Sequence, residues 1–140
     1  FSNCKDQFHI KRNILFFLVA MLLVSCSRQP QTLNEVKSEF VTIDDSIKIH
    51  YKIWNPSIEA KTLCFIHGFG CDMNTWEKQF DAFCDEDIQL VFIDLPGCGK
   101  SDKPHVDYTF DFFAHAIDEV LKTNHIKDAI FVALSFLCSQ

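Results

Sequence analysis

The spacing of apolar positions from residue 38 onward separates strands from helices. Ile47, Ile49, Tyr51 and Ile53 alternate with Lys48, His50, Lys52 and Trp54, a period of two that predicts a half-buried strand. Phe40 to Ile43 predicts its partner, with Asp44-Asp45-Ser46 as the turn and Asn55-Pro56-Ser57 ending the hairpin. Three nearly continuous apolar runs follow, Leu63 to Ile66, Leu90 to Ile93 and Ala129 to Leu134. Their shortness and their β-branched and aromatic content suit strands buried on both faces of a parallel sheet. Between them lie helical patterns. Asn74 predicts a cap with Glu77 three residues on, as in a capping box, and Trp76, Phe80 and Phe83 follow at i, i+4 and i+7. A second helix is predicted from Thr109, with Asp111 in its first turn, where the helix dipole favours an anion. Phe113, Ile117, Val120 and Leu121 form its apolar stripe, and His115 lies on the solvated face. A hairpin followed by β-α-β-α-β is an α/β architecture with a mostly parallel sheet, and right-handed crossovers place helices on both faces.

Length and charge narrow the function. The 140 residues predict one main domain. Residues 26–140 hold 10 Lys and Arg against 18 Asp and Glu. An acidic body without a basic cluster lacks the phosphate-neutralising surface of a nucleic-acid binder, so no nucleic-acid partner is expected. The chain begins with Phe1 rather than Met, and one end is expected to be missing.

The first 26 residues have a different character. Lys11 and Arg12 precede eleven uninterrupted apolar residues, Ile14 to Val24, and then Ser25-Cys26-Ser27. A charged start, an apolar run of this length and a small-residue site predict a secretory signal. Eleven residues fall short of the ~20 that a spanning helix needs. Leu23-Val24-Ser25-Cys26 resembles the lipobox of bacterial lipoproteins. That resemblance implies acylation of Cys26 and an exported protein, lipid-anchored to a bacterial cell membrane and facing the periplasm or the surface. Residues 27–37 are expected to be a polar tether, leaving 38–140 as the folded domain. The five later cysteines have no spacing of a disulfide framework. Cys64, His67 and Cys71 superficially match metal-ligand spacing, but Cys64 and His67 fall three apart at a strand end and point to opposite faces. Buried or free thiols are expected, and no metal.

Three loops follow the carboxyl ends of the three buried strands, where open α/β sheets bind ligands. They are His67-Gly68-Phe69-Gly70, Asp94-Leu95-Pro96-Gly97-Cys98-Gly99-Lys100-Ser101-Asp102 and Ala133-Leu134-Ser135-Phe136-Leu137. Glycines in the first allow a sharp turn that exposes an N–H, as an oxyanion-binding loop requires. In this order and spacing the loops resemble those of the α/β-hydrolase family. His67 to Gly70 matches its H-G-x-G loop, Asp94 to Asp102 its D-x-P-G-x-G-x-S-D segment, and Ser135 the nucleophile on the strand-to-helix elbow. The resemblance covers residues 38–140 and implies the N-terminal half of that fold, truncated after the elbow. It also implies an oxyanion hole from the backbone N–H groups of Phe69 and Phe136. The reaction it implies is attack of Ser135 on a small acyl substrate followed by hydrolysis of the acyl-enzyme, with no cofactor.

The elbow departs from G-x-S-x-G at Ala133 and Leu137, where small residues let strand and helix pass closely. The triad of this family runs Ser, acid, His, and neither an acid nor a His follows Ser135 in the sequence. His67 is expected to be structural, and His50, His105 and His125 are expected to be ordinary hairpin, loop and helix-end residues. An alternative is a catalytically inactive remnant or a ligand- or partner-binding module of the same fold. Gly99-Lys100-Ser101 does not make a phosphate loop. The first glycine of that motif would fall at Asp94, whose carboxylate repels phosphate, and Pro104 interrupts the helix that should follow.

Overall fold

The computed structural model describes residues 32–57 and 59–135. The signal segment, Cys26, the start of the tether, Phe136 and Leu137 lie outside them.

Alternation and apolar runs become five strands, β1 (Glu39–Ile43), β2 (Ile47–Trp54), β3 (Thr62–Ile66), β4 (Gln89–Ile93) and β5 (Ile130–Ala133). The β1–β2 turn puts Asp44 and Asp45 both at positive φ. Such turns match the twist of a hairpin, and Asp tolerates that conformation better than most residues. The sheet runs β1-β2-β4-β3-β5. It is mixed: β1, β2 and β4 pair antiparallel, while β4, β3 and β5 pair parallel.

Two helices connect the parallel strands, α1 (Glu77–Phe83) and α2 (Phe110–Thr123). The step from β3 to β4 runs one way along the sheet, and the step from β4 to β5 runs back past β3. Right-handed crossovers in opposite directions put the two helices on opposite faces. One face packs Phe65, Leu90 and Phe92 against Met73, Trp76 and Phe80. The other packs Cys64, Val91 and Ile93 against Ala116 and Val120. Phe65 and Phe92 stack with ring centroids 4.8 Å apart. Thr109 caps α2 by accepting the Phe112 N–H, as its position before the apolar stripe predicts.

Three expectations change. The cap before α1 is Asp72, which accepts the Asn74 N–H at the start of a 3-10 turn over Met73–Trp76. Asn74 itself is exposed, and the helix proper begins only at Glu77. The end of the polar tether is packed: Leu33 and Val36 are buried in the α1-side core. Lys52 Nζ donates to the Leu33 carbonyl at 2.7 Å, and the Leu33 N–H donates to Glu77 Oε1 at 3.0 Å. Together with the burial of Leu33 and Val36, these bonds dock the turn at residues 33–36 against β2 and α1. The third change follows from it. His50 and Lys52, on the polar side of the β2 alternation, are 1% and 3% exposed, because the docked turn and the loop after β4 cover that side. The strand is buried on both faces through its middle.

Candidate active site

The carboxyl ends of β3, β4 and β5 lie together, since the three strands are parallel neighbours. Parallel pairing of Ile66 with Ala133 is extended by the Leu134 N–H, which donates to the Ile66 carbonyl at 3.2 Å. Ser135 follows directly, two residues past the end of β5. Ser135 is exposed and makes no hydrogen bond among the described residues. After β3 the chain turns through His67 to Cys71, closed by the Cys71 N–H donating to the Gly68 carbonyl at 3.2 Å. Gly70 sits at φ +76°, a conformation that costs an L side chain strain. Phe69 is thrown outward, 80% exposed.

His67 is buried and fully engaged. Its Nε2 accepts the Leu95 N–H at 3.0 Å, and its Nδ1 lies 2.8 Å from the Gly68 carbonyl. A backbone N–H only donates, so Nε2 carries the lone pair and Nδ1 the proton. Neither nitrogen is free to take a proton from Ser135. The ring instead ties the loop after β3 to the loop after β4, the structural role expected of it.

The centre of the polar contacts is Asp94. Its Oδ1 accepts the Met73 N–H at 2.8 Å, and its Oδ2 accepts the Lys100 N–H at 2.9 Å and faces His50 Nδ1 at 2.7 Å. Burial pushes this carboxyl up. The hydrogen bonds from His50, Lys100 and Met73, with the charge of the imidazole, outweigh burial and hold it below the ordinary aspartate value. Ser101 Oγ completes the knot, accepting the His50 N–H at 2.8 Å and donating to the Asp94 carbonyl at 2.6 Å. Ser, His and Asp therefore meet here, but the hydroxyl bonds main chain and not the imidazole. This is not the Ser–His–Asp relay of a nucleophile. Gly99 is required by the knot: at φ +50° any Cβ would overlap the Asp94 carboxylate.

His50 is the functional-looking residue that its sequence position hides. In a period-two strand it reads as an outward polar residue, and only the loop that folds over it from residue 94 onward reveals its partner. His115 is exposed and 3.4 Å from Asp44, on the solvated face as predicted. Cys64 and Cys98 are not activated. Burial pushes Cys64 up to about 12, and burial followed by the Asp94 charge raises half-buried Cys98. Thiolate, not thiol, is the reactive form. Among the described residues no three His, Cys, Asp or Glu side chains converge as a metal site requires.

A family model described as alpha/beta hydrolase fold matches residues 61–136. The chain belongs to the alpha/beta hydrolase fold family. The non-heme chloroperoxidase CPO-A1 of Kitasatospora aureofaciens is 30% identical over 94 residues, covering 67% of this chain and 33% of that protein. The bifunctional esterase/perhydrolase DCH of Acinetobacter calcoaceticus is 28% identical over 96 residues, covering 69% and 34%. A hydrolase from Pseudomonas aeruginosa PA01 superposes with a TM-score of 0.64 at 22% identity, over 71% of this chain and 37% of that one, a likeness of fold alone. The alpha/beta hydrolase chain described here thus spans about a third of the length of the curated relatives it matches. All three parallel strands and the first two loops lie within the matched span, which ends one residue short of the end of the third.

Proposed function

We propose that this chain carries the nucleophile and oxyanion side of a serine hydrolase acting on small ester-type acyl substrates. Ser135 Oγ adds to the acyl carbonyl, its proton leaves to a base, and the alcohol departs with a proton. Water then attacks the acyl-enzyme and regenerates the hydroxyl. The amides of Phe69 and Phe136 hold the oxyanion, and removing such a donor costs on the order of 3 kcal/mol of transition-state stabilisation. What supports this reading is an exposed serine just past β5, the parallel neighbour of β3, whose carboxyl end leads into the glycine-bearing turn of residues 67–71. The esterase/perhydrolase relative supports the acyl class. His50 and His67 are both committed elsewhere, so neither serves as the base for Ser135. The test is labelling of the full-length protein with a fluorophosphonate probe and mapping of the adduct. The modification is expected on Ser135, and an adduct absent from Ser135 in folded protein would remove the proposal.

A second reading, a binding module or inactive copy of the fold, is favoured by one specific observation. Leu137 stands where the elbow calls for a small residue, and overpacking there costs about 1–3 kcal/mol. A folded, unlabelled protein that still binds ester analogues would select it. We propose further that the protein is exported and tethered to a membrane through acylated Cys26. Among the described residues no helix is long and apolar enough to cross a membrane. Metabolic labelling with a palmitate analogue is expected to mark the protein, and Cys26→Ala to abolish the signal.

A further inference from the structure

We propose that His50 is a positioning residue for the turn at residues 67–73, acting on it through Asp94. That turn is held at both ends by two adjacent residues at the end of β4. At its start, the Leu95 N–H donates to His67 Nε2 at 3.0 Å. At its finish, the Met73 N–H donates to Asp94 Oδ1 at 2.8 Å. Whatever fixes residues 94 and 95 therefore fixes the turn at residues 67–73.

His50 grips Asp94 with both side chain and main chain. Its Nδ1 reaches Oδ2 at 2.7 Å, and its carbonyl accepts the Asp94 N–H at 3.0 Å. An ionised carboxylate only accepts, so Nδ1 carries the proton and donates. Nε2 is buried with no hydrogen-bond partner among the described residues. A buried polar atom left unpaired is unfavourable, so the ring is kept for the bond its other nitrogen makes. Without that bond, Oδ2 retains only the Lys100 N–H, which belongs to an exposed loop residue. The carboxylate then gains freedom to rotate, and Met73 moves with it.

The inference rests on the serine-hydrolase reading only for its activity measurement, and a second measurement is independent of it. In His50→Asn the side-chain amide stands near the Nδ1 position and keeps a donor toward Asp94. In His50→Gln the amide reaches toward the Nε2 position, and in His50→Leu no donor remains. Amide hydrogen exchange on the full-length protein is expected to quicken at least tenfold at residues 68–73 in the Leu and Gln variants. Residues 110–123 of α2 are expected to change little, and the Asn variant to return to the parent rate. For p-nitrophenyl butyrate hydrolysis, the Leu and Gln variants are expected to lose on the order of tenfold to a hundredfold in kcat with KM unchanged, as small misplacements near reacting atoms do. Equal quickening at 68–73 and 110–123, or an Asn variant that behaves like Leu, would overturn the inference. If the parent protein is not labelled at Ser135, the hydrolase reading fails and the exchange measurement alone decides. If His50→Leu does not fold, the Asn and Gln pair carries the same contrast.

Discussion

The carboxyl ends of β4 and β5 lie one strand apart, yet they are built on opposite rules. After β4 the chain turns back on itself and satisfies its polar groups internally. The Gly97 N–H donates to the Asp102 carbonyl, the Asp102 N–H to the Lys48 carbonyl, and the Lys48 N–H to Asp102 Oδ2. Asp94 and His50 sit inside that lacing. At β5 only one edge is paired among the described residues, and Ile130 and Phe131 are 59% and 55% exposed. A strand edge with exposed apolar side chains is a template for further pairing. The contrast is between a carboxyl end laced to its neighbours after β4 and a β5 with one paired edge among the described residues. The laced end is bonded to the turn at residues 67–73 through His67 and Met73, and the chain past β5 leads to Ser135.

The comparison breaks first at Asp94. Replacing it with Ala leaves His50 Nδ1 and two amides without their acceptor. Removing one partner of a buried pair typically costs about 3–5 kcal/mol. Urea denaturation of Asp94→Ala is expected to show a loss of this size, and a loss below 1 kcal/mol would mean the lacing after β4 does not hold the scaffold. Gly99→Ala is expected to follow, with a loss of about 2–3 kcal/mol from the clash with the same carboxylate and the positive φ.

Acid sharpens the same point more gently. Because the folded Asp94 carboxyl titrates below its unfolded value, its contribution to stability is fully present above roughly pH 3.9. That contribution disappears as the pH falls from there through the lower folded value. Urea midpoints measured from pH 6 to pH 2.5 are expected to fall in this window, and less steeply for Asp94→Asn. Parallel slopes in the two proteins would assign the acid sensitivity to other carboxylates. The smallest effect is expected at the open end. Ile130→Thr is expected to change stability by less than about 0.5 kcal/mol, as exposed substitutions do, while raising solubility. A loss above 1 kcal/mol would show that β5 is covered, and the contrast would then fail.

Reading the chain without coordinates reaches different depths in these two regions. The three apolar runs, Thr109 as a cap and the order of the three loops were all legible, because each is a local pattern. His50 was not, since nothing near it in sequence distinguishes a histidine facing water from one facing Asp94, 44 residues away. Leu33 and Val36 were missed for a related reason. Two apolar residues in a polar stretch carry no period, and their burial depends on Lys52 and Glu77, which reach them from β2 and α1. The helix cap slipped from Asn74 to Asp72 because both residue types can cap, and packing of Met73 and Trp76 against the sheet selects where the turn starts.

The sequence by itself determined the strands, the helices, the α/β architecture and the serine at a strand end, since periodicity and turn chemistry act over a few neighbouring residues. Only the tertiary structure decided which polar side chains are buried and what they hold. Asp94 joins β2, β4 and the turn after β3 through hydrogen bonds that exist only once those elements are side by side. Burial is a property of what covers a residue, and at His50 the chain that supplies its partner Asp94 lies more than forty residues further along.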